Sequence, residues 1–262
     1  MIKAKKSLGQ NFLIDKNIIE KISSIIEIEN KNVLEIGPGT GNLTSALLKN
    51  KPKNIIVIEK DSRLSEFLNN EFDNKIKIIN QDVLKVNENL ISKEPLIVFG
   101  NLPYNISTEI LCKWILNLKR HKIWFSYLIL MFQKEVANRI VSKFNSKDYG
   151  RISILANWRL SIEKICDIKA SSFSPKPKVD SSLLVFKPKK KFFELKEAKN
   201  LEKITRIFFM HRRKMIKKPY NQIFNGKIDI LKNLNIDLNL RPQNLDFETY
   251  YELTKKYEDL KS

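Results

Sequence analysis

The sequence predicts an α/β fold, with a mainly parallel sheet carrying helices on both faces and a small helical domain after it. Three observations predict this. Short apolar runs of strand length recur through residues 15–133, stretches of helical spacing separate them, and beyond about residue 187 helical periodicity continues with few strand signals.

In chain order, Ile18, Ile19, Ile22, Ile25 and Ile26 have the spacing of one helix face, and Asn32 to Ile36 reads as a short buried strand. Leu43 to Leu48 is a candidate helix, Ile55 to Ile58 a strand, Arg63 to Asn70 a helix, and Ile76 to Ile79 and Leu96 to Phe99 two further strands. Thr108 to Leu118 is helix-like and Tyr127 to Phe132 strand-like. Lys187-Pro188-Lys189-Lys190-Lys191 is a basic, proline-broken connector, so one domain is expected over residues 1–187 and a helical one over 188–262.

With 262 residues, 42% hydrophobic and 29% charged, the chain can bury a core and is neither disordered nor membranous in composition. No apolar run is long enough to span a bilayer, and no membrane partner is expected. The basic start, Met1 to Ser7, continues into Leu8-Gly9-Gln10-Asn11 rather than an apolar signal core, which predicts a cytoplasmic protein. Cys112, Cys166, His121 and His211 are scattered, so no metal site or disulfide is expected and each reads as a packing or surface residue. A formal net charge of +19 exceeds what solubility requires and points to a polyanionic partner. His211-Arg212-Arg213-Lys214, near Lys217 and Lys218, reads as a solvated helix end or as a phosphate-binding patch, the latter favoured by the whole-chain charge.

In a parallel sheet ligands gather at the carboxyl ends of the strands. Glu35-Ile36-Gly37-Pro38-Gly39-Thr40-Gly41 follows the first predicted strand, and its alternate glycines let the backbone pass close to a ligand. Asn42 stands where the dinucleotide fingerprint needs a third glycine, which disfavours a nicotinamide cofactor. Glu59 ends the second strand, about twenty residues past the glycines, where a carboxylate can accept both hydroxyls of a ribose. Asp82 ends the third, placed to bond an adenine amino group, and Asn101 ends the fourth. Singly these acids read as solvated loop residues; together, at successive strand ends, they read as a pocket for S-adenosylmethionine. Asn101-Leu102-Pro103-Tyr104 is by itself an ordinary Asn-x-Pro turn, yet it also offers what a planar base amine needs. The Asn101 oxygen and a backbone carbonyl beside Pro103 can accept the amine hydrogens, and Tyr104 offers a stacking face.

Taken together, these segments resemble the small-subunit ribosomal RNA adenine N6-dimethyltransferases, the KsgA family. The resemblance runs nearly end to end: Lys6 to Leu13 matches the family's opening motif, Asn101 to Ser107 its catalytic motif, and Phe173 to Ser181 a later segment. Phe132 to Ala137 and Phe209 to Lys214 are similar too, with Met215 departing from a small residue. The resemblance implies a Rossmann-like S-adenosylmethionine-dependent methyltransferase sheet and a methyl donor bound by Asn11, Leu13, Gly37, Gly39, Glu59, Asp82 and Asn101. It also implies that Phe173 stacks on the target base from the face opposite Tyr104, and that Arg212, Arg213 and Lys214 contact RNA. The implied substrate is a pair of adjacent adenosines in small-subunit rRNA within an assembling 30S particle, each dimethylated, and a monomer is expected. Three alternatives stay open: a ribosome-assembly binding factor, a large-subunit methyltransferase of the erythromycin-resistance type, and a DNA adenine methyltransferase, which Leu102 disfavours.

Overall fold

The computed structural model describes residues 2–118 and 123–261; His121 lies outside the described residues. Two compact units form. The first comprises residues up to 113, 118–137 and 162–188, and the second 114–117, 138–161 and 189 onward. The last of these boundaries falls beside the one expected from the proline-broken connector. The middle segment 138–161, placed by sequence with the sheet, groups with the second unit because α6 (Arg151–Arg159) packs on later helices.

The sequence first forms β1 (Phe12–Leu13), α1 (Lys16–Ser23), β2 (Asn32–Ile36), α2 (Asn42–Lys49) and β3 (Asn54–Ile58). There follow α3 (Ser62–Phe72), β4 (Lys77–Ile79), β5 (Leu96–Asn101), α4 (Ser107–Leu116), β6 (Phe125–Gln133) and α5 (Lys134–Val141). Past α6 come β7 (Leu160–Ile168), β8 (Phe173–Ser174) and β9 (Ser181–Pro188).

Seven strands make one sheet in the order β4-β3-β2-β5-β6-β9-β7. The five from β4 to β6 are parallel, as the alternation of strand and helix patterns predicts, and β9 runs antiparallel to β6. Val33, Val57, Ile97, Phe99 and Ile129 join the core shared with Ile19 and Ile22 of α1, Leu43 and Leu47 of α2 and Leu68 of α3. The alternating Leu34, Ile56, Val98, Leu128 and Leu130 are buried as well, so both faces are covered. Asp15 and Asp61 start α1 and α3 by accepting the orphan N–H groups of Asn17, Ile18 and Arg63.

The chain lays down β2, β3 and β4 in one direction, then crosses back to place β5 and β6 on the other side of β2. The carboxyl ends of β2 and β5 therefore flank a topological switch point, where a crevice must open.

The second unit is helical. It contains α6, α7 (Ala198–Phe209), α8 (Lys217–Phe224), α9 (Ile228–Leu234) and α10 (Phe247–Asp259). Leu201, Ile204 and Phe208 of α7 are fully buried, and Tyr250 of α10 meets the rings of Phe208 and Phe209 at 5.7 and 5.8 Å. Met215, the departure from the resembled pattern, is 56% exposed and so fills no core position.

Candidate active site at the strand ends

A cleft of about 280 Å³ opens at the switch point. Asn11, Leu13, Gly37, Gly39, Glu59, Asp82, Asn101, Leu102, Pro103 and Tyr104 all line it. The structure thus gathers on one cleft ten residues that the sequence spreads over more than ninety positions.

The loop after β2 is shaped by Gly37, Gly39 and Gly41, with φ of 65°, 59° and 78°, values that a side chain rarely tolerates. At Gly39 a Cβ would stand 2.7 Å from the Phe12 ring, so only glycine lets the N-terminal segment lie this close. At Gly41 a Cβ would strike the Phe72 ring of α3 at 2.5 Å.

Glu59 follows β3 and is only 7% exposed. Its Oε1 accepts the N–H of Asp61 at 2.8 Å. Burial raises its carboxyl above the ordinary value, and bonds from the backbone of Asp61 and Gly39 oppose that rise. Asp82 follows β4 and behaves oppositely. Lys60 Nζ, 2.7 Å from Oδ2, holds its carboxyl below the ordinary value, while Oδ1 caps the following turn through the N–H of Leu84.

At the end of β5 the Asn101 side chain donates Nδ2–H to the Asn11 carbonyl at 2.6 Å. That bond fixes which end of the amide is which, and Oδ1 is left without a protein partner among the described residues. The Pro103 carbonyl closes a turn onto the N–H of Ile106 at 3.1 Å, whereas the Leu102 carbonyl accepts nothing among the described residues. Tyr104 shares a 2.5 Å hydrogen bond with Ser181 Oγ. Burial pushes its phenol up and the Ser181 bond opposes this, so the ring stays neutral near pH 7.

Phe173 does not reach the cleft. It is 2% exposed, stands opposite Leu13 in the short β1–β8 ladder and belongs to the core, so it offers no open ring face to a base. Arg212, Arg213 and Lys214 lie in the second unit, in the turn after α7 rather than in a helix. Arg213 and Lys214 are exposed, but Arg212 is half-buried and donates to the Lys147 carbonyl.

Three further residues bear on the site: Asp61 and Lys113, which no motif marks as site residues, and Glu35, which the glycine motif includes without a role. Asp61 is 3% exposed and collects donors from Lys5, Gln10 and Arg63. Lys113 of α4 spends all three ammonium hydrogens on the Val83 carbonyl at 2.8 Å, the Val86 carbonyl at 2.6 Å and Glu88 Oε1 at 2.6 Å. Glu35, inside β2, is 2% exposed and accepts from Thr44 Oγ1 at 2.6 Å. Only Asp61, at an Asp-Ser helix start, carried a local signal.

Burial pushes the Glu35 carboxyl up from 4.5 to about 7. Because the folded chain holds this proton more tightly than the unfolded one, the contribution is complete below pH 4.5 and is lost as pH rises through about 7. Glu35→Gln, which keeps the acceptor for Thr44, should therefore flatten the profile. Relative to the parent it should gain about 3 kcal/mol of stability between pH 4 and 8, from 2.5 pH units at about 1.36 kcal/mol each. Urea unfolding at both pH values measures this.

The family model "Ribosomal RNA adenine dimethylase" matches residues 1–259. The chain belongs to the ribosomal RNA adenine dimethylase family. Within this dimethylase family it is similar to "Ribosomal RNA small subunit methyltransferase A" of Pelagibacter ubique (strain HTCC1062), with 62% identity over 260 residues and 99% of each chain covered. The protein of that name from Wolbachia sp. subsp. Drosophila simulans (strain wRi) is 42% identical, covering 99% of this chain and 96% of that one. Among solved structures, a dimethyladenosine transferase from Plasmodium falciparum superposes with a TM-score of 0.79 at 28% identity, over 95% of this chain and 98% of that one. The 23S rRNA methyltransferase ErmE shares the fold, with a TM-score of 0.69 at 22% identity over 95% of this chain and all of that one.

No helix among the described residues is long and apolar enough to cross a membrane. No group of three or more His, Cys, Asp or Glu side chains among them could hold a metal ion.

Proposed function

We propose that this chain transfers methyl groups from S-adenosylmethionine to N6 of two adjacent adenosines near the 3′ end of 16S rRNA, giving N6,N6-dimethyladenosine in an assembling 30S particle. One observation carries the reading: among the described residues Asn101 Oδ1 and the Leu102 carbonyl are two acceptors without protein partners, in residues that line one cleft with Tyr104. Full-length similarity to the small-subunit methyltransferases named above supports it.

The cleft suits the methyl donor. Gly39 lets the Phe12 ring lie against the loop, which brings the N-terminal segment to the cleft, and the buried Glu59 carboxylate already lies among backbone donors that orient it. In this reading the Gly37 loop holds the methionine end, Glu59 the ribose hydroxyls and Asp82 the adenine amino group, with Asn11 and Leu13 as a wall. S-adenosylmethionine, when bound, supplies a methyl carbon made electrophilic by its sulfonium.

The rest is done by residues of the chain. A base amine is a poor nucleophile because its lone pair is delocalised into the ring. Asn101 Oδ1 and the Leu102 carbonyl accept its two hydrogens, which draws the lone pair onto nitrogen and fixes its direction. The neutral Tyr104 ring stacks on the base, worth roughly 1–3 kcal/mol per base. With Phe173 buried, that stacking falls to Tyr104. No strong base is required, since the amine becomes acidic only after it carries the new methyl and then releases a proton to water. Most of the acceleration comes from positioning.

Lys113 serves the same cleft at one remove, by holding the Val83–Glu88 loop next to Asp82. Lys113→Met should weaken binding of S-adenosylhomocysteine by about tenfold, with kcat nearly kept. Calorimetric titration tests this, and unchanged affinity would leave Lys113 a role in stability alone.

Arg213, Lys214 and the net charge of +19 would dock the second unit on rRNA phosphates, with a monomer as the working unit in the cytoplasm. The deciding experiment is transfer of labelled methyl to purified small subunits lacking the modification, with large subunits, naked RNA and DNA as controls. N6,N6-dimethyladenosine only in the small subunit is the expected product. Label in large-subunit RNA or in DNA would overturn the substrate, and methyl-donor binding without transfer to any of them would overturn the activity.

A further inference from the structure

The N-terminal segment carries Asn11, whose carbonyl orients the catalytic amide, and its two-residue strand is too short to fix it alone. Beyond Asn11 it is held by the β1–β8 ladder and by Asn42, whose Nδ2–H donates to the Leu13 carbonyl at 2.7 Å; before Asn11 it is held by a knot at Gln10. The Gln10 amide accepts the N–H of Lys5 at 2.7 Å, which closes residues 5–10 into a compact turn, and donates to Asp61 Oδ2 at 3.2 Å. Lys5 Nζ adds a contact to Asp61 Oδ1 at 3.3 Å.

Asp61 is suited to anchor a segment. Its side chain is 1% exposed, and Arg63, bonded through Nε at 3.1 Å and a terminal nitrogen at 2.7 Å, keeps its charge in place and holds its carboxyl well below the usual range. A buried carboxylate that lost these donors would be left uncompensated, so the arrangement is strongly held. The Asp61 N–H in turn bonds Glu59 Oε1 at 2.8 Å. Three hydrogen bonds and one peptide unit therefore join the ribose-holding carboxylate to the catalytic amide: Glu59 to Asp61, Asp61 to Gln10, and Asn11 to Asn101.

We infer that Asp61 is a positioning residue for methyl transfer, acting through Gln10 and the N-terminal segment to set Asn101 Oδ1 while the same segment walls the methyl-donor cleft. This deepens the adenine-methylating function proposed above and rests on it. An Asn101 amide without the Asn11 carbonyl rotates freely, and half of its orientations turn a donor toward the amine where an acceptor is needed. The competing role for Asp61 is local, as the N-cap of α3 and partner of Arg63.

Gln10→Ala separates the two roles, because it leaves the cap and the Arg63 pair intact. Its kcat on small subunits should fall about tenfold, the loss expected for one hydrogen bond to a charged group. Hydrogen exchange of the holoprotein, with S-adenosylhomocysteine as the bound probe, should rise in residues 5–13 and stay unchanged in 62–72. Asp61→Asn, which keeps a capping oxygen, should raise exchange in residues 5–13 as well. Parental kcat and parental exchange in Gln10→Ala would overturn the inference, as would exchange in Asp61→Asn that rises in 62–72 alone. If the parent protein methylates no RNA, the proposed function fails, while the exchange pattern still decides whether Asp61 anchors the segment.

Discussion

Asn101→Ala is expected to lower the rate of methyl transfer by at least about 10²-fold, the scale seen when one preorganised hydrogen-bonding group is removed from a reacting centre. No concentration of RNA or methyl donor restores it, because the missing group acts on the amine after both have bound. Affinity for S-adenosylhomocysteine should change by only a fewfold, since Glu59 and the glycine loop are untouched. Asn101→Asp sharpens the test. It keeps an acceptor oxygen but replaces the Nδ2–H that reaches the Asn11 carbonyl at 2.6 Å with a second oxygen, so a carboxylate would face a carbonyl and turn away. It should therefore be nearly as slow as Asn101→Ala. Single-turnover transfer of labelled methyl measures both, and a full rate in Asn101→Ala would mean that another group holds the amine.

The legible part of this protein is the part whose residues act where the sequence puts them. Each parallel strand announced itself as a short apolar run between helical stretches, and Asn32–Ile36 was placed to the residue. Because ligands sit at strand ends, finding the ends of β2 to β5 also found Gly37, Glu59, Asp82 and Asn101. β7 and β9 were harder. β7 is largely half-exposed, with Glu163, Lys164 and Asp167 interrupting any alternation, and the antiparallel edge has no following helix to mark it. Lys113 and Glu35 were hidden for a different reason: their partners lie 30 and 9 positions away, as with Val83 and Thr44, and no local pattern encodes such pairs; at Asp61 the helix cap was local, but the Lys5 partner lies 56 positions away. Phe173 shows the converse. Its role rested on resemblance alone, and the fold spends the ring on the core beneath Leu13.

Glu59→Ala should have the largest effect on the methyl donor rather than on the amine. A carboxylate accepting two ribose hydroxyls makes charge-assisted bonds worth about 1.5–3 kcal/mol each, so its loss should weaken S-adenosylhomocysteine binding by at least about 10²-fold. Glu59 has a second task, since its Oε1 also holds the Asp61 N–H at 2.8 Å. Glu59→Gln divides the tasks. It keeps a carbonyl oxygen for Asp61 but loses the charge, so it should bind the methyl donor less well than the parent and better than Glu59→Ala, with hydrogen exchange in residues 5–13 unchanged. Acidification should mimic it. Burial raises this carboxyl above its ordinary value, so the affinity should begin to fall at a higher pH than a solvent-exposed glutamate would give, and Glu59→Gln should lose that dependence. Calorimetry across pH with parent and variant reads this directly. Identical affinities in all three proteins would leave Glu59 as a brace for the Asp61 turn and move ribose recognition to another residue of the cleft.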